Sequence, residues 1–164
     1  MAWIYSTNQN NTARFTLGET GTKIIGCIGV NPSTAEPEKL DRTIQSVKRI
    51  ATTNGFDGWL MLNLYPQRAT DPADLHKRAN GALYERNQVE IREAVTKYNI
   101  DTLWFAYGDL VLCRSYLSRS LIDVKQNLDS MNISYVKTGQ LTLKNNPRHP
   151  LYQKTAGKFT RFML

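Results

Sequence analysis

The stretch "KIIGCIGVNPSTAEP", Lys23 to Pro37, joins a near-continuous apolar run to a polar turn that contains proline. Its first eight residues, Lys23 to Val30, have the length and composition of a β-strand that is covered on both faces. Asn31-Pro32-Ser33-Thr34 follows at once, where a helix is about to begin. This junction predicts a strand–turn–helix unit and raises the question of why an asparagine stands at its centre.

The same alternation of strand and helix patterns continues along the chain. Three further strand-like runs follow, namely 58–65, 101–108 and "ISYVKT" at 133–138. Between the runs, apolar residues recur at helical spacing over 40–51, 84–98 and 110–128, and Asn54-Gly55 supplies a helix stop. This order predicts an α/β fold, a three-layer α/β/α arrangement with a central, four-stranded, largely parallel sheet.

Length and composition predict a single domain over 1–164 with two distinctive ends. Residues 1–20 contain two short β-like runs and predict a hairpin-like extension. Residues 130–164 form a basic segment with six Lys or Arg and no Asp or Glu, whereas the other 129 residues carry 15 basic and 14 acidic side chains. A one-sided basic segment is typical of a protein that meets phosphates. A solvated basic tail remains the alternative.

Several features predict a cytoplasmic protein that is not embedded in a membrane. The N-terminus lacks the basic and apolar regions of a signal peptide, and no apolar run approaches the roughly 20 residues that span a bilayer. Cys27 and Cys113 both lie in apolar surroundings, which favours buried free thiols in a reducing compartment.

The four predicted strands are each followed by a polar segment: Asn31–Ala35, Asn63–Asp71, Tyr107–Asp109 and Asn145–Tyr152. In open α/β sheets the ligand crevice lies beyond the carboxyl ends of the strands. The sequence therefore predicts that these four segments converge on one site.

Asn31 has two interpretations. In the first, Asn31-Pro32-Ser33-Thr34 is a plain turn whose hydroxyls cap the following helix. In the second, Pro32 holds Asn31 so that its amide faces a ligand or a water. An amide cannot deprotonate water, so Asn31 would position a nucleophile rather than act as a base.

Asn63 and Arg68 also leave alternatives open. Asn63 interrupts the apolar run "WLMLNLY", so its side chain either caps a backbone edge or offers a paired donor and acceptor to a nucleobase. Arg68, in "YPQRATDP", is either a surface ion-pair partner or a clamp for phosphate or carboxylate.

His149 lies in "NNPRHPLY", where Pro147 and Pro150 flank the Arg148-His149 pair. Its imidazole is either structural or projects into the predicted crevice, while His76 is expected at the surface. The sequence has no phosphate-binding P-loop, no dinucleotide fingerprint, no zinc-ligand spacing and no nucleophile elbow. We therefore expect neither a cofactor nor a metal.

The motifs "GVNPSTA", "NLYPQRATDP", "AYG" and "PRHPLY" together resemble a family known as domain of unknown function 1643, over about 14–152. That family name implies no activity. "IGVNPS" after a buried strand is also similar to the first motif of the uracil-DNA glycosylase superfamily, closest to its mismatch-specific thymine/uracil branch. Ser33 stands where that branch has glycine, and Leu151 and Tyr152 replace the Ser-Pro of its His-Pro-Ser-Pro motif.

The superfamily resemblance implies roles for individual residues. Asn31 would orient the attacking water and His149 would stabilise the departing base. The resemblance also places Asn63 near the base. On the same hypothesis we expect further base or ligand contacts from Pro32, Ser33, Thr34, Tyr65, Tyr107 and Gly108, and phosphate contacts from Arg68, Arg148 and Lys154. The implied function is hydrolysis of an N-glycosidic bond in DNA or a nucleotide. A non-catalytic nucleotide or nucleic-acid binder and a small-molecule enzyme are the alternatives.

Overall fold

The computed structural model describes residues 1–153 and 157–164. Its strands form one seven-stranded sheet. In chain order they are β1 (Trp3–Thr7), β2 (Arg14–Glu19), β3 (Ile24–Gly29), β4 (Gly58–Asn63), β5 (Thr102–Phe105), β6 (Ser134–Thr138) and β7 (Phe159–Arg161).

The centre of the sheet is parallel and its margins are antiparallel. The spatial order is β1-β2-β4-β3-β5-β6-β7. Strands β4, β3, β5 and β6 pair in parallel, whereas β1, β2 and β7 add to the sheet by antiparallel pairing. The α/β class is confirmed, but the expected four-stranded sheet is wrong in strand number. The extra strands come from the predicted N-terminal hairpin and from the basic C-terminal segment.

Three α-helices connect the parallel strands: α1 (Arg42–Thr53), α2 (Gly81–Lys97) and α3 (Ser115–Leu128). Helix α1 begins where the Asp41 carboxylate accepts a hydrogen bond from the Ile44 main-chain N–H at 2.9 Å. It ends just before Gly55, which has a φ of 85°, a left-handed conformation that glycine adopts without strain.

Helix α3 begins later than its apolar spacing predicts. Leu110 belongs to a separate 3-10 turn, Gly108–Leu112, and the α-helix begins at Ser115. The apolar side chains of the turn and of the helix lie close enough in sequence to mimic one continuous period.

The helices cover both faces of the sheet. Ile44, Val47 and Ile50 of α1 pack on one face, against strand residues that include Cys27 and Met61. Helices α2 and α3 cover the other face, where they bury a larger apolar cluster. With both faces covered, ligand access to the parallel strands is left at their ends.

The basic C-terminal segment is docked on the sheet. The ring of Phe159 in β7 packs against Trp104 and Phe56, with centroids 5.1 and 6.0 Å away. Phe162 contacts Phe105 edge-on. Within the described residues, no helix is long and apolar enough to cross a bilayer.

Candidate functional site

A cleft of about 1000 Å³ opens at the carboxyl ends of β3, β4 and β5. Sequence-distant segments meet there, as expected for the polar turns that follow parallel strands. Nine of the twelve predicted site residues line the cleft: Asn31, Pro32, Ser33, Thr34, Asn63, Tyr107, Gly108, Arg148 and His149. The predicted convergence of the strand ends is therefore confirmed, while the roles of the individual residues remain predictions.

Asn31 has a fixed amide orientation. Its side-chain Nδ2 donates hydrogen bonds to the main-chain oxygens of Ala69 at 2.8 Å and Pro32 at 3.0 Å, and it lies 3.5 Å from that of Gln67. Only a nitrogen donor satisfies such a group of carbonyls. Oδ1 makes no hydrogen bond to a described residue, so it is the atom that Asn31 can offer to a ligand or a water.

The alternative of a simple helix cap does not hold for this turn. Helix α1 is capped by Asp41, not by Ser33 or Thr34. The Ser33 hydroxyl is instead within hydrogen-bond distance of the Thr70 hydroxyl, at 2.8 Å. This contact ties the turn after β3 to the segment after β4 along the cleft wall.

Asn63 is the last residue of β4 and is only 1% exposed. Neither its Nδ2 nor its Oδ1 makes a hydrogen bond to any described residue. A Cβ added at Gly29 would lie 3.1 Å from Asn63 Oδ1 and 2.6 Å from the Met61 methyl, so glycine keeps this corner open. Buried polar groups without partners are rare in native folds, and here both amide atoms belong to a residue of the cleft lining.

His149 is held against the end of β5. The Gly108 main-chain N–H donates to the Pro147 carbonyl at 2.8 Å, and a Cβ added at Gly108 would meet His149 Cβ at 3.5 Å. Gly108 has a φ of 60°, which favours glycine at this close approach. The loop that carries His149 is thereby fixed beside Tyr107.

The protonation state of His149 follows from its surroundings. The Leu151 main-chain N–H donates to His149 Nδ1 at 3.2 Å, so the neutral ring carries its proton on Nε2. Burial lowers the pKa of His149, and the negative charge of Asp41 partly opposes that shift. Burial also raises the pKa of Tyr107. Both groups are therefore neutral hydrogen-bond donors at pH 7.

Asp109, the neighbour of Gly108, is hydrogen-bonded to the loop that carries His149. Its Oδ1 accepts hydrogen bonds from the Thr142 hydroxyl at 2.6 Å and from Asn146 Nδ2 at 2.9 Å, and these bonds lower the pKa of Asp109. On the same loop, Arg148 Nε donates to the Gln140 carbonyl at 2.9 Å. Arg148 lines the cleft and brings a positive charge to it.

Two predicted site residues lie outside the cleft lining. Tyr65 is fully buried on the α2/α3 face, and its hydroxyl lies 2.7 Å from His76 Nδ1 and accepts from the Asn80 main-chain N–H. It therefore does not reach a ligand in the cleft. His76, which was expected at the surface, is half-buried because of this contact.

Arg68 is the second predicted site residue that lies outside the cleft lining. Its guanidinium donates to the main-chain oxygens of Ser33 at 2.6 Å and Ala35 at 3.2 Å, to Asn11 Oδ1, and to the Tyr5 hydroxyl. These contacts hold the turn after β3, and the predicted phosphate contact of Arg68 stays a prediction. The predicted phosphate contact Lys154 falls outside the described residues.

The cleft lining contains four charged residues that were not predicted as site residues: Arg14, Asp41, Arg42 and Asp109. Arg14, at the start of β2, lines the cleft although it is only 2% exposed. Asp41 lines it at the N-terminus of α1. In the sequence, Arg14 stands out only as a charged residue in the short β-like run "ARFTL". The local pattern does not show which part of the fold its side chain contacts.

A family model described as "Protein of unknown function (DUF1643)" matches residues 14–151, which span the whole cleft. The chain belongs to this family. Among curated proteins, a search finds no significant match. Within the described part of this DUF1643 protein, no group of three His, Cys, Asp or Glu side chains is placed to hold a metal ion.

Proposed function

We propose that this DUF1643 protein recognises a nucleobase in the cleft and hydrolyses its N-glycosidic bond, in the manner of the uracil-DNA glycosylase superfamily. The observation that carries the proposal is Asn63, whose buried amide donor and acceptor have no partner among the described residues. Neighbouring donor and acceptor atoms match the edge of a base, and a bound base would satisfy both.

Asn31 supplies the means to position the nucleophile. Its Oδ1 can accept a hydrogen bond from a water, because three main-chain carbonyls surround Nδ2 and fix the amide. The water oxygen bonds to the anomeric carbon, and the carbon–nitrogen bond breaks with its electron pair going to the base. The water loses one proton to the solvent. A positioned water lowers the entropic part of the barrier without a strong base.

His149 is suited to the leaving group. Its neutral ring donates through Nε2, which favours negative charge as it develops on the departing base. A neutral donor in a partly buried site stabilises the transition state without first binding an anion tightly. The base then takes a proton from solvent and leaves as the neutral molecule.

The substrate is DNA or a free nucleotide. The basic character of 130–164 and the position of Arg148 in the cleft favour a phosphate-containing ligand. The resemblance of "IGVNPS" to the superfamily's first motif favours the same class. A non-catalytic binder is the second candidate, because the residue facing the nucleophile position is an amide and not a carboxylate.

The test is a panel of labelled single- and double-stranded oligonucleotides that carry uracil, mismatches or modified bases, scored for strand breakage after alkali. Free deoxynucleotides are assayed in parallel by chromatography for the released base. We expect base release from at least one substrate by the native protein, and release that is slower by about 100-fold or more by Asn31→Ala. If no substrate loses its base while a nucleotide still raises the melting temperature, the binder replaces the enzyme.

A further inference from the structure

Arg14 carries a buried charge that forms no ion pair with any acidic side chain of the described residues. Its Nη1 donates one hydrogen bond, to the Ala35 carbonyl at 3.0 Å. Nε is buried without a partner, and Nη2 makes no hydrogen bond to a described residue. No Asp or Glu of the described chain lies within ion-pair distance of the guanidinium.

This arrangement is costly for an arginine. Taking a guanidinium out of water is unfavourable unless a counter-charge and further hydrogen bonds replace the solvent. Burial and the nearby charge of Arg68 lower the pKa of Arg14 to about 10, with Asp41 and Tyr5 acting in the opposite direction. Such strain in a cleft-lining residue is relieved when an anion binds.

The surroundings of Arg14 in the cleft suit a phosphate. The first turn of the twelve-residue helix α1 lines the cleft, and the main-chain N–H groups of Arg42 and Thr43 make no hydrogen bond to a described residue. Ser33 and Thr43, which carry hydroxyl groups, belong to the same lining, and the Ser33 hydroxyl lies 2.8 Å from that of Thr70. Arginine, helix N–H groups and hydroxyls are the usual donors to phosphate oxygens.

We propose that Arg14 is an anion-binding residue of the cleft and that the natural ligand carries a phosphate group that reaches it. The nucleotide identity of the ligand rests on the proposed function, whereas binding of the anion does not. The phosphate belongs either to a free nucleotide, as a terminal monoester, or to a DNA strand, as a diester.

The first experiment measures the melting temperature against inorganic phosphate, with sodium chloride at equal ionic strength as the reference. We expect phosphate at ten times its dissociation constant to raise the melting temperature of the native protein by about 3–6 °C. Arg14→Met should lose this shift. Arg78→Met removes the same charge from an exposed residue outside the cleft lining and should keep it.

Arg14→Lys guards against a folding defect, since it keeps the charge but not the planar fork. We expect it to bind phosphate several-fold more weakly than the native protein. Equal phosphate shifts in the native protein and in either Arg14 variant would overturn the proposal, as would the absence of a phosphate-specific shift in the native protein.

Asp41→Asn sharpens the test. Asparagine keeps the acceptor that caps α1 at the Ile44 N–H but removes a negative charge from the cleft. We expect this variant to bind phosphate several-fold more tightly, and weaker binding would contradict the assignment of the anion to this part of the cleft.

Two ligand arms identify the source of the phosphate. Deoxynucleoside 5′-monophosphates are compared with the matching nucleosides, and a short single-stranded oligonucleotide is compared with its phosphate-free methylphosphonate analogue. If Arg14 variants lose the binding that the phosphate adds in the first pair, the natural ligand is a free nucleotide. If they lose it in the second pair, the natural ligand is a DNA strand. Loss in neither pair overturns the proposal for the natural ligand.

Failure of the two proposals can be told apart. Arg14-dependent phosphate binding without base release would remove the hydrolase and leave the anion site. Base release at the native rate and Michaelis constant by Arg14→Lys, with no phosphate shift in the native protein, would remove the anion site and leave the hydrolase.

Discussion

Two groups of buried polar side chains lie near the end of β4, and they differ in how their hydrogen bonds are satisfied. On the α2/α3 face, Gln88 Nε2 donates to Ser120 Oγ at 3.0 Å and Ser120 Oγ donates to the Leu64 carbonyl at 2.6 Å. Asn127 Nδ2 donates to Gln88 Oε1 at 3.1 Å. Asn127 is exposed, and we call the two buried residues, Gln88 and Ser120, the paired cluster.

Arg14 and Asn63, the cleft pair, are just as buried but leave donors and acceptors without partners among the described residues. A satisfied polar group inside a protein contributes to stability, and an unsatisfied one costs free energy. The comparison teaches that burial alone does not separate structural polar residues from ligand-binding ones. Unsatisfied side-chain atoms also occur at Asn87, Trp104, Tyr135 and Thr138, which do not line the cleft. Arg14 and Asn63 are singled out because they combine missing partners with a position in the cleft lining.

The largest expected effect concerns Asn31, whose amide nitrogen is paired while its oxygen is not. Asn31→Ala should lower turnover of a cleaved substrate about 100-fold or more, because the attacking water loses its positioning group. Rates are measured under single-turnover conditions on protein shown by urea unfolding to be folded at the assay temperature. Turnover at the native rate would remove Asn31 from the mechanism.

In the paired cluster, Ser120→Ala should lower the free energy of unfolding by about 1–3 kcal/mol, because the Leu64 carbonyl and Gln88 Nε2 are left without partners. Urea unfolding measures this loss. The control is Ser118→Ala on the exposed side of the same helix, which should be nearly neutral. Equal losses of stability in the two variants would contradict a stabilising role for the hydrogen bonds of Ser120.

In the cleft pair, Asn63→Leu should behave in the opposite way. Leucine has a similar shape and removes both unsatisfied amide atoms, so the free energy of unfolding should stay level or rise by about 1 kcal/mol. Binding of the nucleobase ligand should be lost in the same variant. A marked loss of stability would identify Asn63 as structural.

Gly108→Ala tests the wall that holds His149. An alanine at a φ of 60° costs about 1–2 kcal/mol, and its methyl would lie in van der Waals contact with His149 Cβ. Urea unfolding should show this cost, and the His149 ring signals should move. Gly81→Ala is the matched control, because a Cβ at Gly81 meets nothing within 4 Å.

The smallest expected effect is the contribution of His149 to the pH dependence of the free energy of unfolding. Because burial lowers the pKa of His149 in the folded state, the unfolded chain binds a proton first as the pH falls. This residue's contribution to stability should therefore be present above about pH 6.5 and decline as the pH falls below it.

An NMR titration of the two histidines, assigned with His149→Gln, checks the direction of that shift. Asp41→Asn should lower the pKa of His149 further, since Asp41 acts to raise it. A His149 pKa above that of a model peptide would contradict the tautomer and burial described for the ring.

The parallel core and the cleft could be predicted from local patterns. Apolar runs of strand length separated by helical spacings define βαβ units, and their handedness brings the polar turns to one edge. For this reason Asn31, Asn63, Tyr107 and His149 were expected together, although 118 positions separate the first from the last.

Tyr65 shows where local patterns stop being informative. In an extended strand it would share the face of Asn63, since side chains alternate. Strand β4 ends at Asn63, however, and the chain turns so that Tyr65 enters the α2/α3 core. Arg14 is the converse case, because only the pairing of β2 beside β4 brings its side chain to the cleft.

The sequence by itself determined the α/β class, the order of the central strands and helices, and the polar turns at the strand ends, because periodicity and turn residues act over a few positions. Only the tertiary structure decided the seven-stranded sheet, the structural role of Arg68 and the unsatisfied charge of Arg14. Those features depend on contacts between residues far apart in the chain. The description of Asn31 depends on both sequence and tertiary structure. The motif "GVNPSTA" predicts its position after a strand, whereas the orientation of its amide depends on the Ala69 carbonyl, 38 residues away.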